Sequence, residues 1–129
     1  MTTTHAKQRR RNQRRESTVA KQCLLIASRY GARLWRNNVG LFYTADGRPV
    51  RVGLCTGSSD YIGITRYGRF LAVETKRPKG GVVSADQQQF TDAVQAMGGI
   101  AVIAYSPDDL ERVLRDELPI KPDLQVRSN

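Results

Sequence analysis

Apolar and polar residues along this chain change their spacing several times, and each change marks an element. From Arg15 to Tyr30 the apolar positions Val19, Cys23, Ile26, Ala27 and Tyr30 recur at helical spacing, and Gly31 follows as a natural stop. Arg33–Val39 and Phe42–Thr44 then read as strands around a turn. Asp46-Gly47-Arg48-Pro49 is a turn signal, and Val50–Leu54 and Tyr61–Thr65 read as further short strands. A strand over 69–77 follows the turn at Tyr67-Gly68. In 84-SADQQQFTDAVQAMGG-99, Ser84 suits a helix N-cap and Gln87 the third position of a capping box. Gly98 or Gly99 ends that helix, and Phe90, Val94 and Met97 form its apolar face. The run 100-IAVIAYS-106 is continuously apolar, as a strand covered on both faces requires. Ser106-Pro107-Asp108-Asp109 opens a last helix with Leu110, Val113, Leu114 and Leu118 inward, and Pro119 closes it.

This order condenses to α-β-β-β-α-β-α. A helix between the strands 69–77 and 100–106 makes them a parallel pair, so the expected fold class is α/β with a central mixed β-sheet flanked by helices. The 129 residues suffice for one hydrophobic core and not two. Residues 15–118 should form that domain, with residues 1–14 as a basic arm disordered on its own and 119–129 as a loose tail.

Charge sharpens the picture. Lys+Arg number 21 against 12 Asp+Glu, a formal net charge of +9. Lys7, Arg9, Arg10, Arg11, Arg14 and Arg15 stand in the first fifteen residues without an acid, which suits either a solubilising tail or a polyanion partner. The segment from Glu16 to Ser106 still carries eleven basic and six acidic residues, which favours nucleic acid. Arg36, Arg77 and Lys79 are candidate phosphate contacts and Asn37 a candidate nucleic-acid contact. Trp35 suits either role, and core packing is favoured for it. Cys23 and Cys55 lack metal-ligand spacing and read as buried free thiols of a reducing compartment. The basic N-terminus has no apolar signal region and no run approaches the ~20 apolar residues of a membrane span, so a cytoplasmic protein is expected.

One strand breaks its own pattern. In 70-FLAVETKRPKG-80, alternate residues share a face, so Glu74 and Lys76 follow Phe70 and Ala72 on one side. If Arg66-Tyr67-Gly68 is a three-residue loop with Gly68 left-handed, Thr65 faces Arg69, and counting back sets Asp60 opposite Glu74. A two-residue loop would separate the carboxylates; the glycine position decides for the first register. Two carboxylates this close repel unless something positive joins them. Lys76 is one candidate, and Mg²⁺ or Mn²⁺ a better one, because the donors are hard oxygens and the lone His5 lies in the arm. Such a metal would bridge the carboxylates and a phosphate, with Lys76 holding or deprotonating the attacking water. A charged cluster at a solvated strand end is the plainer alternative.

Asp60 followed by Glu74-Thr75-Lys76 resembles the PD-(D/E)XK nuclease superfamily. More narrowly, Glu16-Ser17, 35-WRNNVG-40, 57-GSSD-60, 73-VETKRPKG-80 and 84-SADQQQF-90 resemble, in order, the VRR-NUC family and its small stand-alone phage and bacterial members. The resemblance implies a restriction-endonuclease-like fold and metal-dependent hydrolysis of DNA phosphodiesters, selective for branched or nicked DNA. It implies Asp60, Glu74, the Thr75 backbone carbonyl and Glu16 around Mg²⁺ or Mn²⁺, Lys76 at the nucleophile, and Glu16 and Gln87 reaching the site from their helices. It also implies a homodimer. Thr75 stands where an aliphatic residue is commoner, and the basic arm is additional to the family core. A basic DNA-binding module without catalysis and a nuclease acting on RNA are the alternatives.

Overall fold

The computed structural model describes residues 2–122, and of residues 2, 3 and 12–17 the backbone alone. Its elements are α1 (Thr2–Arg29), β1 (Arg33–Arg36), β2 (Gly40–Tyr43), β3 (Pro49–Val52), β4 (Tyr61–Ile64), β5 (Phe70–Thr75), α2 (Ala85–Ala96), β6 (Ile100–Ala104) and α3 (Pro107–Asp116). Five short strands precede α2, one at each of the five segments read from the sequence, where the condensed order counted three. The extra pair arises because β2 and β3 form a separate two-stranded ribbon, while the main sheet runs β1-β4-β5-β6. In that sheet β1, β4 and β5 are antiparallel and β5–β6 is parallel, so the mixed α/β architecture holds.

The core lies on one face. Leu71 and Val73 of β5 and Val102 and Ala104 of β6 pack with Val19, Cys23, Ile26 and Ala27 of α1 and with Leu110 and Leu114 of α3. Leu71, Leu110 and Leu114 are fully buried, each worth about 1.5–3 kcal/mol relative to exposure. Met97 and Leu118, expected inward, are exposed, because each lies just past its helix: Met97 is the C-cap of α2, and Leu118 follows the C-cap Glu117 of α3. Cys23 is buried, and burial pushes its thiol up to about 11. Cys55 is exposed rather than buried, because it sits in the 53–57 turn after β3.

The first helix is longer than its apolar stripe. It begins at Thr2, so residues 2–14, expected to be disordered alone, continue α1 with the exposed side chains of residues 4–11. No glycine or proline interrupts this stretch, and Lys, Arg, Gln and Ala are good helix formers. At its other end Gly31, with φ +72°, closes the helix beside Arg66 of the β4–β5 loop. Residues 18 and 19 lie level with Pro78 and Lys79, beyond the end of β5. The basic segment therefore extends past the end of the sheet where β5 and β6 terminate. Residues 119–122 form neither helix nor strand, and 123–129 lie outside the described residues. Among the described residues no helix is long and apolar enough to cross a membrane.

A buried ion pair fastens the opposite end. Glu117 accepts from Thr65 Oγ1 at 2.6 Å and from Arg69 Nη1 at 2.9 Å, tying the β4–β5 loop to the end of α3.

Candidate active site

The β4–β5 hairpin sets the site. Gly68 has φ +88°, Thr65 N–H donates to the Arg69 carbonyl, and Ile64 pairs with Phe70 and Ile62 with Ala72. One register step beyond Tyr61–Val73, Asp60 faces Glu74 as the loop geometry predicts. The contact is mutual. Asp60 N–H donates to Glu74 Oε2 at 3.1 Å, while Thr75 N–H and Oγ1 both donate to Asp60 Oδ2 at 3.1 Å. The Thr75 hydroxyl is thus a brace for Asp60. Among the described residues no donor reaches Asp60 Oδ1, which leaves that oxygen open to a ligand.

Glu74 is only 4% exposed. Lys76 Nζ stands 3.4 Å from its Oε1, and Gln87 Nε2 donates to the same oxygen at 2.9 Å. Burial, and then the charge of Asp60, push the Glu74 carboxyl up from 4.5 to about 7; the Lys76 ammonium and the Asp60 amide pull the other way without prevailing. Among the described residues, the groups around Glu74 do not offset its burial.

Gln87 does two jobs at once. Its backbone N–H donates to Ser84 Oγ, its Oε1 accepts from Ser84 N–H, and its Nε2 remains free for Glu74. The capping box therefore fixes the rotamer that points the amide at the carboxylate.

The 57–60 loop is held from behind. Asn37, expected at a nucleic-acid surface, is instead buried: its Nδ2 donates to Ser58 Oγ and the Ser59 carbonyl, and its Oδ1 accepts from Leu54 N–H. Its own N–H donates to the Asp60 carbonyl at 2.7 Å. An amide has both donors and an acceptor to offer, and this loop uses them all. Gly57, with φ +85°, lets the loop touch α2; a Cβ there would lie 2.5 Å from the Asp86 carbonyl carbon.

Arg36, Arg77 and Lys79 do not converge. Arg36 is in register with Tyr61, on the sheet face opposite Glu74, and its Nε donates to Asn38 Oδ1. Arg77 donates to the Gly80 carbonyl within the turn that folds over Lys76, where a cavity of about 240 Å³ is lined by Lys76, Arg77, Gly80, Gly81 and Val82. Lys79 lines a groove of about 510 Å³ between α1 and the β6–α3 turn. The side chain of Glu16 lies outside the described residues; its position is one helical turn ahead of Val19 and Ala20. Trp35, expected in the core, is 56% exposed because it stands on an edge strand, β1.

The sequence reading missed Thr75 Oγ1, Gly57 and the Asn37–Ser58–Ser59 set. The stretch 57-GSSD-60 has the ordinary composition of a turn, and Asn37 and Thr75 lie far from it in sequence, so nothing local marked the set. Among the described residues no group of three or more His, Cys, Asp or Glu side chains is placed to hold a metal, so Asp60 and Glu74 stand as a pair. Comparison of the chain with known proteins finds no matching family model, no matching curated protein and no matching solved structure.

Proposed function

We propose that this protein is a metal-dependent DNA endonuclease of the VRR-NUC type and restriction-endonuclease-like fold, acting on branched or nicked DNA. One observation carries the reading: a buried Glu74 faces a second carboxylate, Asp60, with Lys76 and Gln87 on the same oxygen. Burying the Glu74 carboxylate beside a second carboxylate costs stability, and a bound cation would offset that cost. The residues fit Mg²⁺ or Mn²⁺, since every donor offered is a hard oxygen and Asp60 Oδ1 is open. Asp60, Glu74 and the Thr75 carbonyl would hold the ion, with Glu16 as a further ligand. When bound, it supplies neutralising charge for the phosphate and a more acidic water.

The chain's own groups do the rest. Gln87 and the Asp60 amide hold the Glu74 carboxylate in one orientation. Lys76, kept beside Glu74 by charge, offers an N–H donor that orients the attacking water; deprotonating that water would require its neutral amine. The Lys and Arg residues of the arm, with Arg77 and Lys79, hold phosphates. A homodimer would set two such sites on one branched substrate.

The test is a panel of branched, nicked, linear and RNA substrates with Mg²⁺ or Mn²⁺. Asp60→Asn and Glu74→Gln should each abolish cleavage while nucleic-acid binding persists or tightens. Cation-dependent cleavage surviving in both variants would sink the assignment. Binding without cleavage by the unaltered protein would favour a basic binding module, and preference for the RNA arm would reassign the substrate.

A further inference from the structure

Among the described residues, the outer part of the sheet face beside the carboxylates is left exposed. Trp35, Ile62, Ile64, Phe70 and Ala72 lie on the same face as Glu74. α2 packs chiefly over β6 and β5, and Trp35 is 56%, Ile64 49% and Phe70 42% exposed. Trp35 is the only tryptophan of the chain, and tryptophan is normally well covered. Arg33 pairs with Ile64 on this face and is exposed. Two strands sideways and two residues along put Trp35 about 12 Å from Glu74. That is a few nucleotides along a strand at ~3.4 Å each when stacked.

A flat aromatic and aliphatic surface with a cation beside it, in a chain of net charge +9, complements an anionic polymer that has exposed π faces. Paired bases inside a duplex offer no such face, whereas unpaired bases do. We propose that the β1–β4 face is a stacking platform for unpaired DNA bases, with Trp35 as its principal ring and Ile64 and Phe70 as its apolar floor. Resting on the nuclease reading, it makes the substrate a DNA whose strand is single-stranded beside the cut.

The lone tryptophan makes the test direct. The full-length protein, in chelator, is titrated with oligodeoxythymidylate of about 12 nucleotides and with a blunt duplex of equal length. Tryptophan emission reports stacking, and anisotropy of the labelled DNA reports binding. The single strand should quench Trp35 strongly and the duplex should bind with little quenching. Trp35→Ala should weaken oligodeoxythymidylate binding about 5- to 150-fold, the range of base–aromatic stacking, and Trp35→Phe should restore most of it. Equal quenching by both DNAs, or unchanged affinity in Trp35→Ala, overturns the proposal. Emission that instead changes with protein concentration before DNA is added also overturns it, in favour of an interface between copies. Because no metal is present, the two readings fail separately. Quenching without cation-dependent cleavage of any DNA removes the nuclease; cleavage without quenching removes the platform.

Discussion

At Lys76 the relevant fact is one distance. Its ammonium lies 3.4 Å from Glu74 Oε1 with little solvent around it. On the proposed nuclease reading it offers an N–H donor beside the carboxylate that would hold the ion. Lys76→Ala should lower turnover by about two to four orders of magnitude, the range of positioned acid–base groups. Calorimetric titration with Mn²⁺ should find the ion still bound; lost affinity with an unchanged single-turnover rate would make Lys76 an organiser of the ligands instead. Glu74 predicts a pH effect in chelator. Its carboxyl keeps its proton to about 7 when folded, against 4.5 ordinarily. Below about 4.5 the neutral form exists in both states and its stabilising contribution is complete; as pH rises through about 7 the folded protein must ionise a buried group and that contribution is lost. Thermal unfolding should therefore show stability falling between about pH 5 and 8, on the order of 1–3 kcal/mol, and Glu74→Gln should flatten the fall. An equal slope in the variant would place its origin elsewhere.

At the scale of elements, the 57–60 loop is only as well placed as the helix it touches. Gly57 is left-handed and lies against the first turn of α2 at Asp86, the helix that carries Gln87 to Glu74. Gly47, also left-handed, sits at the tip of the β2–β3 ribbon with nothing within 4 Å of an added Cβ. The two glycines form a matched pair. Gly47→Ala should cost only the backbone strain, about 1–2 kcal/mol, and leave turnover alone. Gly57→Ala adds a steric push on Asp86, so melting temperature and turnover should both fall further. Similar turnover in the two variants would show that the loop and α2 need no close contact.

On the scale of the molecule, the arm is an extension of a core helix. The exposed Lys7, Arg9, Arg10 and Arg11 project beyond the sheet end that bears Asp60 and Glu74. Deleting residues 1–13 keeps Arg14, Arg15 and Glu16. If the four removed cations touch phosphates, the slope of log affinity against log salt should flatten by up to about 0.9 per contact on duplex DNA. The rate at saturating DNA should barely move. An unchanged slope would mark the segment as a solubilising tail, and a collapsed saturated rate with normal folding would mean that it braces Glu16.

Local chemistry alone determined a good deal of this protein. The three-residue loop ending in Gly68 fixed the β4–β5 register, and with it the Asp60–Glu74 pairing, because a left-handed glycine leaves the hairpin one way to close. Ser84 and Gln87 fixed the start of α2, and the stripe from Val19 to Ala27 fixed which side of α1 is buried. What needed the tertiary structure was whatever depends on which segments meet. Asn37 reads as a surface amide until its partners at 54, 58 and 59 surround it, and Trp35 reads as core until its strand proves to be an edge. Glu117 gave no sign that it meets Arg69, 48 residues earlier. Periodicity records which side of an element is apolar, but burial is decided by what packs there, and hydrogen-bond partners distant in sequence leave no mark on either residue alone.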